Sequence, residues 1–187
     1  MDIEKIAEFV KTNAEALPAS EPYGVRYRVS ATLTDGTFLP CVVVQSSKKL
    51  VDLAKRRFEQ ERKSGIKAIL GNSGNYDRIV ETFVASGNRM NHYDIASLGI
   101  SRFSIPLARL REVGGETSMS WTEFYGTMSD GVEFRFGTSF LTEFFDMPEG
   151  YCACDLQKII PAIRHEKPRA DIIYREKPFF TCFIDPL

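Results

Sequence analysis

The chain has 187 residues, 43% of them hydrophobic and 26% charged, with 24 Lys plus Arg against 25 Asp plus Glu for a net charge of −1. That is ordinary globular composition, long enough to bury a core without a disulfide or metal staple, and it excludes a disordered chain. A balance so near neutral offers no overall field for nucleic acid or anionic membrane, so binding of that kind would need a local patch.

Residues 2–16 read as an amphipathic helix, with Ile3, Ile6, Ala7, Phe9 and Val10 forming its apolar stripe and Asp2 placed to cap it. Charge and apolar residues alternate through this start, so it is expected to be a helix rather than a signal peptide. "LPASEPYG" (17–24) supplies turn chemistry, and residues 1–20 form an N-terminal helix-and-turn unit.

In "VRYRVSATLTDGTFLPCVVVQ" (25–45), Val25, Tyr27, Val29, Ala31 and Leu33 alternate with Arg26, Arg28, Ser30 and Thr32. This is period two, with one face buried. Asp35-Gly36 suits a two-residue type I′ turn, Val42–Val44 suit a strand covered on both faces, and Pro40 implies an edge or a bulge. "WTEFYGTMSDGVEFRFGTSF" (121–140) repeats the device around Asp130-Gly131. Flanks that agree poorly favour independent arrival at the same turn over internal duplication.

Residues 46–65 read as a long basic amphipathic helix, with Leu50, Val51, Leu53, Ala54 and Phe58 inward and Gly65 at its end. "GNSGN" (71–75) is a loop, and 76–101 reads as two strands joined near Ser86-Gly87-Asn88. Short helices are expected over 105–115 and 155–165, and 166–187 is an extended C-terminal arm ending in "FFTCFI". The economical architecture is one α+β domain over 1–187, an antiparallel sheet built from the Asp-Gly hairpins with the N-terminal helix and the basic helix packed on it.

Signatures of chemistry are thin. Neither dinucleotide-binding nor P-loop glycine patterns occur, and the G-x-x-G at 71–74 lacks cationic loop residues, so it reads as a turn. His92 and Asp94 would share one face of a strand, as a base and its orienting carboxylate require, but no nucleophile accompanies them. Cys152, Cys154, His165 and Cys182 could be combined as metal ligands, yet the C-x-C spacing is one residue short of the usual zinc pairing. All four cysteines (Cys41 included) therefore read as small buried thiols, with no metal and no cofactor expected.

Charge alone is uneven. Residues 48–67 carry eight bases against three acids (+5), and 116–149 carry seven acids against one base (−6). Asp52–Arg56 and Glu59–Lys63 pairing on a solvated helix face accounts for part of the first cluster.

The pattern points away from an enzyme and toward a soluble, cytoplasmic protein-interaction module: an adaptor, an inhibitor or an assembly subunit that binds a protein partner or itself. Its arm would serve through Phe179, Phe180 and Phe183, which suit strand addition. An alternative is a nucleic-acid or anion binder using Lys49, Lys55, Arg56 and Lys63 on the basic helix, and a weaker one is a hydrolase using His92 and Asp94. No membrane association is expected.

Overall fold

Two Asp-Gly turns organise the chain. In the computed structural model, which describes residues 1–20, 24–63, 88–139, 142–164, 172–185 and 187, strand β2 (Gly24–Leu33) returns as β3 (Phe38–Gln45), and β6 (Thr122–Met128) as β7 (Glu133–Thr138). Gly36 and Gly131 take φ of +88° and +86°, while neither Asp does. Leu33 N–H donates to Thr37 C=O and Met128 N–H to Val132 C=O, 2.8 Å in both. These are therefore three-residue loops closed by a glycine bulge rather than two-residue type I′ turns. Asp35 and Asp130 reinforce them by accepting the N–H two residues on, at 2.8 and 3.0 Å.

The likeness runs well past the turns. Strand β5 (Ile95–Gly99) lies antiparallel to β2, and β8 (Leu156–Pro161) lies antiparallel to β6. Leu33, Thr32, Ala31 and Ser30 face Ile95, Ser97, Leu98 and Gly99; Met128, Thr127, Gly126 and Tyr125 face Leu156, Lys158, Ile159 and Ile160. Counted from each turn Asp the registers coincide, and both ladders skip one residue, Ala96 or Gln157. Each added strand also leaves a single 3₁₀ turn that ends in Asp, His92–Asp94 or Ala153–Asp155. On the other side, β10 (Phe180–Phe183) runs parallel to β3, and β9 (Ile173–Arg175) runs parallel to β7. Both sheets follow one plan, written in backbone register more than in side chains.

The expected single antiparallel sheet is thus replaced by two sheets with parallel pairs. The first runs β1-β2-β3-β10-β4, with β1 (Ala16–Ser20) and β5 sharing one edge of β2, and β4 (Arg89–Met90) beyond β10; the second runs β8-β6-β7-β9. "LPAS" is accordingly strand rather than turn. The Pro40 bulge forms where Val29 pairs Val42 but Ala31 pairs Leu39.

Helix α1 (Ile3–Asn13) covers one face of the first sheet, inserting Ile6 and Val10 among Val29, Val42, Val44, Ile95 and Cys182. Among the described residues, the basic helix contributes nothing to the core clusters of the sheets. Helix α2 (Lys48–Lys63) holds ten charged residues against five apolar ones, and although Leu50 and Ala54 are buried, neither belongs to a described core cluster. So few apolar groups leave it little to contribute to a sheet core. Helix α3 is one short turn, Leu107–Leu110, and residues 156–161, expected as helix, form β8 because Leu156 and Ile159 reach the core from an extended chain.

The second sheet packs aromatically. Phe136 stacks on Phe124 and Phe145 meets Phe124 edge-on, both with ring centres 5.3 Å apart. Between the sheets, Cys41 and Val43 from the other face of β3 meet Phe144, flanked by Phe103 and Phe179. That second covering explains the continuous Val42–Val44 run. Residues 64–87, which hold Gly65, the G-x-x-G loop and the first part of the 76–101 segment, lie outside the described residues, as do 165–171.

Two glycines separate backbone from packing costs. Gly36 has open space around an added Cβ, so Gly36→Val should lose about 1 kcal/mol or more through its positive φ alone. At Gly126 a Cβ would sit 2.4 Å from Leu156 Cδ1 and 2.9 Å from Phe136 Cε2. Gly126→Ala should therefore cost about 1–3 kcal/mol by overpacking, read from urea unfolding midpoints.

Candidate functional site: a cleft at the divided edge of the first sheet

Strand β1 stops pairing with β2 at Ala16–Tyr27, and β5 begins at Gly99–Ser30. Arg28 and Val29 lie in the interval. A cleft of about 400 Å³ opens here, lined by Glu15, Arg28, Ile100, Arg102 and the Cys152–Cys154 pair among others.

Arg28 is 3% exposed. Its Nη1 donates to the Ile105 carbonyl at 2.6 Å and more distantly to the Glu143 carbonyl, and its Nη2 donates to Glu15 Oε2 at 3.0 Å. Burial pulls its pKa below the usual arginine value, against the opposing pull of Glu15 and Glu143. Two residues away on the same strand face, Arg26 Nη1 donates to Glu143 Oε1 at 2.6 Å. The two arginines thereby tie β2 to the segment that follows β7. Nearby, Glu112 accepts the Ile159 N–H on the outer edge of β8 at 2.9 Å. That bond first, and then Arg109, hold its carboxyl below the usual range.

The rim of the cleft carries a disulfide between Cys152 and Cys154, Cα atoms 5.2 Å apart. All four cysteines were expected as buried thiols; only Cys41 and Cys182 are, and desolvation pushes both up to about 11. Around the intervening, fully buried Ala153 the backbone is held independently. Ala153 N–H donates to Arg102 C=O at 2.7 Å, Cys152 N–H to Asp155 Oδ2 at 2.7 Å, and Arg102 Nη2 to Tyr151 C=O at 2.7 Å. A loop this short gains only about 1.5–2 kcal/mol from closure on a chain-entropy estimate. The disulfide is thus a minor staple.

The other sequence candidates fall elsewhere. Cys182 lies in the first sheet's core, His165 is outside the described residues, and the metal quartet does not assemble around the bonded pair. His92 and Asp94 sit on a 3₁₀ turn, where residues two apart point to different sides. Asp94 Oδ2 accepts a long bond from Asn91, His92 packs edge-on against Tyr93, and no described hydrogen bond joins the two. On α2, Lys55 and Arg56 are exposed, while the Lys49 and Lys63 side chains are outside the described set. Phe179 is half-buried against Phe144, Phe183 lies under the Arg89 guanidinium at 4.5 Å, and Phe180 is 41% exposed.

Arg28 and the cysteine pair are what sequence reasoning missed. A signal for Arg28 was present, because it is the cross-strand neighbour of Val43, inside a run expected to be covered on both faces. The chain matches no protein-family model, no curated protein and no solved structure.

Removing one partner of the intersheet tie should be costly, because it leaves the buried Glu143 carboxylate without its Arg26 ion pair. Arg26→Met is expected to lose about 3 kcal/mol, and adding Glu143→Leu should restore most of it, as measured by a double-mutant cycle of urea unfolding.

Proposed function

We propose that this protein is a protein-interaction module that takes its partner as an extended segment added along β5. The observation that carries the reading is the character of that edge. Ile95–Gly99 (IASLG) contains no charge and no proline, and it is flanked by Tyr93 and Ile100, exposed at 64% and 58%; the Met1 amine donates to the Ile95 C=O, so the stretch on offer is residues 96–99. Other described edges are blunted: β1 contains Pro18, β8 has its Ile159 N–H taken by Glu112, and β4 and β9 are two and three residues long, with Arg89 and Arg175 in them. An edge without charge or proline of its own presents backbone donors and acceptors that a strand from another chain can satisfy. The C-terminal arm, whose apolar sequence also suits that role, is itself an inner strand. The partner is another protein or a second copy, and the module acts as an adaptor, inhibitor or assembly subunit without catalysis of its own. The cytoplasm is its proposed compartment, where a bond such as Cys152–Cys154 is transient rather than permanent. Among the described residues no helix is long and apolar enough to cross a membrane.

A test is selection of peptides from a random displayed library, followed by Ala96→Pro. Ala96 is exposed and skipped by the ladder to β2, and Ile95 before it is already extended (φ −79°, ψ 121°). The substitution should weaken peptide binding more than about tenfold while leaving the unfolding midpoint within about 0.5 kcal/mol. Unchanged binding would refute the edge reading. Binding to random nucleic acid with a steep negative salt slope, lost in Lys55→Glu/Arg56→Glu, would favour the nucleic-acid alternative instead.

A further inference from the structure

We infer that Cys152 and Cys154 form a thiol–disulfide exchange site, a reversible two-electron pair that reacts with a thiol-bearing partner at the rim of the cleft. The inference is independent of strand addition at β5.

Four observations converge on the pair. Its Cys154 is exposed and its Cys152 half-buried, and both line the cleft, so an incoming sulfur can reach the bond. The bond encloses a single residue, Ala153, whose position is already held by its hydrogen bond to Arg102 and by its burial. Opening the bond therefore leaves the local fold in place. Arg28 and Arg102 line the same cleft beside Glu15, so cations there offset the carboxylate charge that would otherwise disfavour the thiolate that exchange requires. Finally, Cys41 and Cys182 are sealed in the core, so the chemistry is confined to one place.

The exchange balances without any group beyond the partner. A partner thiolate attacks Cys154 Sγ; a new sulfur–sulfur bond forms, the Cys152–Cys154 bond breaks, and the electron pair leaves on Cys152 Sγ, which takes a proton from water. A second partner thiolate then attacks the partner's sulfur in the mixed disulfide and releases Cys154, which is protonated in turn. Overall the pair gains two electrons and two protons, and two partner thiols become one disulfide. In reverse, a partner disulfide reoxidises the pair. The Asp155 carboxylate, whose oxygen lies within 4.8 Å of both sulfurs, opposes a lasting negative charge on them and so favours completion of the exchange.

The test uses the intact folded protein in buffers of reduced and oxidised glutathione, with alkylation and mass counting of free thiols. Two thiols per chain should appear and disappear together as the ratio changes, while Cys41 and Cys182 stay unalkylated. In Cys152→Ser, glutathione should accumulate on Cys154 more than about tenfold faster than on Cys41 or Cys182. The thermal midpoint should move by less than about 5 °C on reduction. A pair that resists excess glutathione until the chain is denatured would overturn the inference. So would a pair that oxidised glutathione cannot close, or a loss of more than about 10 °C on reduction, which would make the bond a structural staple.

Discussion

The last strand of the chain lies inside the first sheet, hydrogen-bonded in parallel to β3 on one side and β4 on the other, and much else follows from that placement. Parallel neighbours cannot be joined by a tight turn. Here the connection from β5 to β10 contains every strand of the second sheet. Residues 173–183 then run from β9 through Lys177, whose N–H donates to Phe144 C=O at 2.8 Å, and past Phe179 against Phe144, to β10. Beyond it, Ile184 N–H donates to Gln45 C=O, and the hydroxyls of Ser46 and Ser47 donate to Asp185. A strand pairing that spans most of the chain pays its loop-closure entropy before any contact rewards it, so the pairing of β10 is expected to form after the local β2–β3 hairpin.

Between the sheets the contacts are of two kinds, and Arg28 carries one of them into the cleft. Apolar contact comes from Cys41, Val43 and Phe144, and polar contact from Arg26 and Arg28 reaching Glu143 and the Ile105 carbonyl. Because Arg28 is spent on that tie, it forms a cleft floor that is charged yet fixed in place. The divided edge of β2 brings three things together: a strand without charge or proline, a pocket, and a disulfide between cysteines two residues apart.

Local signals were legible where they act locally. The Asp-Gly turns, the α1 stripe, the Pro40 bulge and the two-sided burial of Val42–Val44 can all be read from neighbouring residues. What escaped depends on partners far away in the chain. Nothing in "FFTCFI" distinguishes an edge strand from an inner one, since both are apolar and β-prone. The common plan of the two sheets hides for a related reason: a ladder is defined by backbone register, so Gly126 can stand where Ala31 does, and Tyr125 where Ser30 does, without altering it. Arg28 escaped because an arginine alternating with apolar residues ordinarily faces water, and its burial is set by Val43 opposite and by Glu143, 115 residues away. For the cysteines, the C-x-C spacing is one residue short of the usual zinc pairing; two residues apart entering a tight turn, their sulfurs reach each other instead.

Native-state hydrogen exchange on the intact protein tests the placement of β10 most directly. Thr181 N–H donates to Asn88 C=O at 2.9 Å, and Cys182 is fully buried between Val44 and Met90. Their amides should exchange only through global unfolding, as slowly as those of Val42–Val44 and with the same denaturant dependence. Exchange of Thr181 and Cys182 at the rate of a frayed terminus, while Val42–Val44 remain protected, would contradict the account.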